Sequence, residues 1–87
     1  MSTSDHVLQA VIRAFRRAFP DAHISGQSDF FDLGGDSLAL ISLCTDLEGE
    51  LRIDVAPASL LYHPTVEDFA AAIGGMSAQR TDLNASN

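Results

Sequence analysis

The chain has 87 residues, of which twelve are acidic and five basic, and its formal net charge at pH 7 is −7. This length fits one small domain, in which an enclosed active site with several positioned catalytic groups is hard to build, so we expect a non-enzymatic protein on which other proteins act. Nucleic acid is not expected as a partner, because neutralising phosphates requires a broad basic surface.

The cysteine content and the N-terminus favour a soluble, cytoplasmic protein. Cys44 is the only cysteine, so no intrachain disulfide forms, which fits a reducing compartment. Residues 1–5 lack a basic region followed by an apolar run, and no apolar stretch is long enough to cross a bilayer. We therefore expect no membrane association.

The spacing of apolar residues predicts a first helix from about Asp5 to Phe19, with Ser4 as its N-cap and Pro20 as its stop. Three arginines cluster towards the end of this helix. Positive charge is favourable near a helix C-terminus, so we expect a solvated basic face formed by Arg13, Arg16 and Arg17.

A long connection, residues 20–36, precedes the second helix. A loop of this length in so small a domain is usually either functional or disordered. Phe30, Phe31 and Leu33 argue against disorder, because these three side chains would pin the loop to the core. We expect a fixed loop that holds its own C-terminal end in place.

Three further helices follow the loop. The second is predicted over Ser37–Leu51, and a short third helix over Pro57–Leu61. The fourth begins at Thr65, which has capping-box spacing to Asp68, and ends at residues 74–75.

The segment Gly34-Gly35-Asp36-Ser37 is the part of the sequence with chemical content. Two glycines allow a tight turn, Asp36 caps the second helix, and Ser37 falls in its first turn. Backbone N–H groups and the helix dipole favour an attached phosphate there. The tetrapeptide is equally compatible with an ordinary loop-to-helix junction.

Catalysis by Ser37 is the competing chemistry. A serine nucleophile needs an oriented base, and nothing in the spacing of His6, His23 and His63 places one beside it. A Gly-x-Ser-x-Gly pattern is absent. The histidines and Cys44 show no metal-ligand spacing, so we expect neither a serine hydrolase nor a metal site.

The second helix has apolar residues on two sides. At about 100° per residue, one side forms a core stripe of Leu40, Leu43, Cys44, Leu47 and Leu51. Leu38, Ile41 and Thr45 gather roughly 130° away, which predicts an exposed docking face beside Ser37; burial of Ile41 between two helices is the alternative. Basic partners would be favoured by the carboxylates of Asp46, Glu48 and Glu50.

Two separated strings resemble the acyl and peptidyl carrier protein superfamily. Residues 29–38, DFFDLGGDSL, look like its attachment motif, and residues 60–66, LLYHPTV, resemble its junction between the third and fourth helices. The resemblance covers about residues 5–75 and implies an all-α, four-helix bundle of the acyl carrier protein type. It implies that Ser37 carries 4′-phosphopantetheine, whose thiol holds an acyl or aminoacyl cargo as a thioester.

The resemblance also implies partners and their contacts. Asp36, after Gly35, would assist docking and metal-assisted transfer in a phosphopantetheinyl transferase. Leu38, Ile41 and Thr45 would line the partner face, although Thr45 is smaller than the apolar residue often found there. The other implied partners are an adenylating or acyl-loading enzyme and downstream condensing or tailoring enzymes.

The paired phenylalanines and the Gly-Gly step look more like peptidyl than fatty-acid carriers. We therefore favour a carrier of nonribosomal-peptide or hybrid secondary-metabolite biosynthesis. From the start methionine and the short flanks we expect it to be free-standing, and we expect a monomer. The alternatives are an acyl carrier for polyketide or fatty-acid-type synthesis, an interaction module with the carrier fold, and a domain excised from a larger synthase. We expect a carrier domain over residues 1–75 and a disordered tail over residues 76–87, which are polar and aperiodic.

Overall fold

The computed structural model describes residues 2–74, which contain four helices and no strand. In chain order, the helices are α1 (Ser2–Ala18), α2 (Ser37–Leu51), α3 (Pro57–Tyr62) and α4 (residues 66–74). The predicted all-α bundle with a short third helix is confirmed. The predicted tail, residues 76–87, lies outside the described residues.

One hydrophobic core joins the four helices and the long loop. Both α1 and α3 pack against α2. Burying one large apolar side chain stabilises the fold by about 1.5–3 kcal/mol. The largest fully buried side chains come from every helix and from the loop: Phe15, Phe30, Leu43, Leu47, Leu60, Phe69 and Ile73.

The predicted core stripe of α2 is confirmed at its centre. Leu43, Cys44 and Leu47 are buried, whereas Leu40 and Leu51 are half-buried and pack against the edge of the core. Helix α4 buries one apolar face, formed by Val66, Phe69, Ala70 and Ile73.

Three predicted boundaries shift by one or a few residues. Helix α1 begins at Ser2, so the prediction that Ser4 is its N-cap is wrong; no proline or glycine before Ser4 prevents an earlier start. It ends at Ala18 because the proline that follows Phe19 disfavours helical geometry at that residue. Helix α3 extends to Tyr62, where the His63 N–H donates to the carbonyl of Ser59.

Helix α2 ends in a left-handed residue. Arg52 has φ of 58° and donates its backbone N–H to the carbonyl of Glu48 at 2.8 Å. A residue in this conformation at a helix C-terminus stops the helix and turns the chain. The chain then passes the buried Val55 and enters α3 at Pro57, which suits the first helical position.

Candidate functional site

Ser37 is the first residue of α2, and its side chain is exposed. Within residues 2–74 its hydroxyl has no hydrogen-bond partner. The preceding residue, Asp36, is the predicted N-cap: its carboxylate accepts a hydrogen bond from the Ala39 N–H at 2.9 Å. Its carbonyl accepts from the Leu40 N–H at 2.9 Å. This cap satisfies a first-turn donor, so Ser37 stands on a well-defined helix edge.

The two glycines before the cap are required for different reasons. Gly34 has φ of +93°, a conformation that favours glycine over residues with a Cβ. Gly35 has an ordinary backbone conformation, but the ring of Phe30 fills the space that its Cβ would occupy. The Gly35 N–H also donates to the carbonyl of Phe30 at 3.0 Å. The backbone just before the site therefore rests on a core aromatic side chain.

Phe30 anchors the loop in the core. It is fully buried, and its ring lies edge-on to those of Phe15 and Phe19, with centroid distances of 6.1 and 5.4 Å. Leu33 is half-buried against the core. The expectation that Phe31 is a third anchor is wrong: it is 45% exposed and packs only its ring edge-on to Phe30. Successive residues of the turn face different sides, so the two phenylalanines cannot both point inwards.

Backbone hydrogen bonds tie the loop to the junction between α3 and α4. The Phe30 N–H donates to the carbonyl of Pro64 at 2.9 Å, and the Val66 N–H donates to the carbonyl of Ser28 at 3.0 Å. The residues between these pairs form an isolated antiparallel bridge. The two strings that resemble carrier proteins are thus in direct contact, and the second supports the first.

The predicted docking residues are all exposed on α2. Leu38 is 81% exposed and Ile41 53%, and Thr45 is also exposed. Burial of Ile41 between two helices, the alternative, is therefore wrong. Large apolar side chains this accessible on a small bundle are typical of a surface that meets other proteins.

Helix α3 adds two exposed apolar residues that sequence reasoning did not assign to the site. Leu61 is 55% exposed and Tyr62 79%, whereas Leu60 is fully buried. The available signal was the helical period: three consecutive apolar residues cannot all face one core.

The predicted acidic surroundings of α2 are engaged within the protein. Glu50 forms ion pairs with Arg13 and Arg17, and Arg17 also contacts Asp46 at 3.3 Å. The hydrogen bond from Arg13 is the main cause of a lowered Glu50 pKa. The predicted basic face is thus exposed to solvent and also paired with α2, and Asp46 is still partly accessible to a partner. The antiparallel packing of α1 on α2 brings opposite charges together.

Glu48 is engaged as well, because its carboxylate accepts the Val55 N–H at 3.0 Å. Its charge also affects the thiol of Cys44, a residue of the predicted core stripe. Burial, with a smaller contribution from the Glu48 charge, raises the pKa of Cys44 to about 11. A buried thiol that ionises so poorly is a weak nucleophile.

No catalytic or metal-binding arrangement surrounds Ser37 in the described part of the chain. His6, His23 and His63 are exposed, and none is hydrogen-bonded to Ser37. Residues 2–74 contain no group of three side chains placed to hold a metal ion. Across the same range, every helix is too short or too polar to span a bilayer.

Comparison with known proteins points to one family. The family described as "Phosphopantetheine attachment site" matches residues 5–73. An isonitrile lipopeptide synthase of Streptomyces coeruleorubidus is 39% identical over 67 residues, which are 76% of this chain and 5% of that protein. Bacitracin synthase 2 of Bacillus licheniformis is 33% identical over 54 residues, 62% of this chain and 2% of that protein. The chain thus spans a very small part of these relatives.

Solved structures share the architecture. BlmI, a type-II acyl carrier protein from Streptomyces verticillus involved in bleomycin biosynthesis, superimposes with a TM-score of 0.80 at 16% identity, over 86% of this chain and 90% of BlmI. A structure described as a non-ribosomal PCP domain gives a TM-score of 0.66 at 25% identity, over 75% of this chain and 83% of that one. The fold of residues 2–74 is the one found in these proteins.

Proposed function

The chain belongs to the phosphopantetheine attachment-site family of carrier proteins, and on this premise we propose that Ser37 is its attachment residue. Members of the family bear 4′-phosphopantetheine covalently on a serine, and carrier proteins are generally non-catalytic. This chain is a carrier that tethers a cargo, and the chemistry is performed by the enzymes that visit it.

The accessibility of Ser37 is the observation that carries the proposal. Its hydroxyl is exposed, has no competing hydrogen bond in the described region and stands at a helix N-terminus capped by Asp36. A phosphodiester is favoured there by the helix dipole and the first-turn N–H groups. These residues therefore fit the group, which when bound supplies a thiol for a thioester link to the cargo.

The loading step requires little of the carrier itself. The Ser37 oxygen forms a new bond to the phosphorus that bears pantetheine, and the pyrophosphate bond of coenzyme A breaks. Adenosine 3′,5′-bisphosphate leaves, and the hydroxyl proton passes to the transferase. No histidine contacts Ser37, so the transferase supplies the base. Asp36 holds the helix start in place and assists docking.

The exposed apolar residues form the partner face in this proposal. Leu38, Ile41 and Thr45 lie on α2 after Ser37. We extend the face to α3 through Leu61 and Tyr62. The nearest carboxylates of α2 are engaged in internal contacts. Apolar contact therefore dominates recognition of the transferase and of the adenylating or acyl-loading, condensing and tailoring enzymes.

The relatives support a role in secondary metabolism. Their printed names are those of an isonitrile lipopeptide synthase, a hybrid PKS-NRPS synthetase and a bacitracin synthase. Carrier domains of such synthetases work with adenylation and condensation partners. We assign this chain to nonribosomal-peptide or hybrid biosynthesis in the cytoplasm, as a monomeric carrier domain over residues 1–75 with its tail over residues 76–87.

Intact-mass measurement tests the proposal. With coenzyme A and a broad-specificity phosphopantetheinyl transferase, the protein gains one phosphopantetheine, and Ser37→Ala gains none. Ser42→Ala is the matched control, because Ser42 is an exposed serine on the same helix, and it loads like the unsubstituted protein. A folded protein whose mass does not change, or loading of Ser37→Ala, contradicts the assignment.

A further inference from the structure

The Phe30 ring occupies the volume in which a side chain at position 35 would lie. A Cβ built on Gly35 meets the Cδ2, Cε2 and Cζ atoms of that ring at distances that real Cβ atoms do not show. The ring has little freedom to move away, because it is fully buried between Phe15 and Phe19. The Gly35 backbone is therefore seated directly on the aromatic part of the core.

Backbone hydrogen bonds hold the same pair in register. The Gly35 N–H donates to the Phe30 carbonyl, and the Phe30 N–H donates to the Pro64 carbonyl, at 3.0 and 2.9 Å. Phe30 is thus fixed through its ring by α1 and through its main chain by the segment before α4. The position of the Gly35 backbone relative to the bundle is therefore closely fixed.

Only one residue separates Gly35 from Ser37. The intervening residue, Asp36, has an extended backbone and caps α2 through Ala39. Any shift of the Gly35 backbone away from the core therefore moves the cap and the hydroxyl of Ser37 together. The docking residues after Ser37, in contrast, are carried by the body of α2.

We propose that Phe30 is a positioning residue for the modification of Ser37. By filling the space beneath Gly35, its ring sets where the backbone passes and hence where the Ser37 hydroxyl is presented to the transferase. This inference rests on the proposed function, because it concerns the loading of Ser37.

Gly49 contrasts with Gly35. A Cβ on Gly49, in the last turn of α2, meets nothing within 4 Å. Gly49→Ala is therefore the control: it adds the same methyl group at a glycine away from the site, and it should leave loading unchanged.

The test measures loading kinetics at a temperature well below unfolding. In Gly35→Ala the new methyl displaces the ring or the backbone, and we expect kcat for transfer from coenzyme A to fall roughly tenfold or more. KM for the carrier should change less than kcat, because Leu38, Ile41 and Thr45 are carried by the body of α2. The amide NMR signal of Ala39, which reports the Asp36 cap, should shift. A merely structural role would lower only the folded fraction of the carrier, which is the substrate here, and would therefore raise the apparent KM and leave kcat unchanged.

A compensating variant completes the test. Leucine lacks Cε2 and Cζ, the two nearest of the three ring atoms that the methyl group would meet, so Gly35→Ala combined with Phe30→Leu should recover most of the lost kcat. If Gly35→Ala does not fold, the double variant decides: it must fold and load like Phe30→Leu alone.

Two failures are distinguishable. If the unsubstituted protein is not loaded on Ser37, the proposed function is wrong. If it is loaded, two outcomes would each rule out the positioning role of Phe30 and leave the carrier function standing. One is a folded Gly35→Ala variant that loads like Gly49→Ala. The other is a folded double variant that shows no recovery of kcat.

Discussion

Asp36 combines a structural and a functional role within one side chain. Its carboxylate caps α2 through the Ala39 N–H, and it is exposed directly beside Ser37. Asparagine also caps helices well, but it carries no charge. Substitutions at this residue can therefore separate the cap from the contribution of the charge to loading.

For Asp36→Ala we expect a loss of about 1 kcal/mol in the free energy of unfolding, because an N-terminal cap is removed. Asp36→Asn should retain most of that stability but should load more slowly, since the carboxylate that assists the transferase is absent. Chemical denaturation and the loading rate measure the two effects. Asp32→Ala, at a nearby exposed carboxylate, is the control. Equal loading by Asp36→Asn and the unsubstituted protein would restrict Asp36 to capping.

Cys44 gives a second prediction at this scale. Its pKa of about 11 and its burial leave almost no thiolate at pH 8, so iodoacetamide should not modify it in the folded protein. Denaturant should expose it. After loading, the folded protein should take up one alkyl group, on the thiol of the arm. Rapid alkylation of the folded, unloaded protein would show that Cys44 is accessible.

At the scale of elements, α1 and α2 are joined by a core stripe and by a cluster of ion pairs. Arg13 and Arg17 both reach Glu50. The arginines lower the Glu50 pKa from its ordinary value of 4.5, so folding favours the ionised carboxylate. This contribution to stability is fully present above the unfolded-state pKa and is lost as the pH falls through the folded-state pKa.

Glu50→Gln should therefore lower the free energy of unfolding at pH 7 by about 0.5 kcal/mol, a small value because the pairs are partly exposed to solvent. The difference from the unsubstituted protein should disappear in acid, below the folded-state pKa. Denaturation at several pH values measures it, with Asp21→Asn, an exposed loop carboxylate, as the control. A difference that persisted unchanged in acid would indicate loss of packing instead of loss of charge.

Local signals predicted most of the elements, and contacts between elements account for the errors. Pro57 and the Thr65–Asp68 pair correctly placed the starts of α3 and α4; the Asp68 N–H donates to the Thr65 hydroxyl at 3.2 Å. The pairing of Arg13 with Glu50 spans 37 residues, and a helical period does not show which face of one helix meets which face of another. For the same reason, the sequence could not show which of two adjacent phenylalanines is buried.

Prediction of the site succeeded where the chemistry is local. The cap at Asp36 and the helix start at Ser37 follow from neighbouring residues, and the structure has both. The contact of the Gly35 backbone with the buried Phe30 ring could not be inferred, because it depends on the three-dimensional path of the loop. The exposure of Tyr62 likewise depends on how α3 lies against α2.

At the scale of the whole molecule, the bundle presents Ser37 beside an apolar face, while Asp46, Glu48 and Glu50 of α2 have contacts within the protein. We expect Leu38→Ser to raise the KM of the transferase for the carrier roughly tenfold, the equivalent of about 1.4 kcal/mol of lost apolar contact. Stability should be unaffected, because Leu38 is 81% exposed. Asp46→Asn should change KM little. A larger effect of Asp46→Asn would mean that charge governs docking.

The central claim is that one exposed hydroxyl at the start of α2 is the point of attachment. Fragmentation mass spectrometry of the protein produced together with a broad-specificity transferase locates the modified residue. The account predicts one phosphopantetheine per chain, on Ser37. An arm on another residue, such as Ser42, or a folded chain without any arm would contradict it.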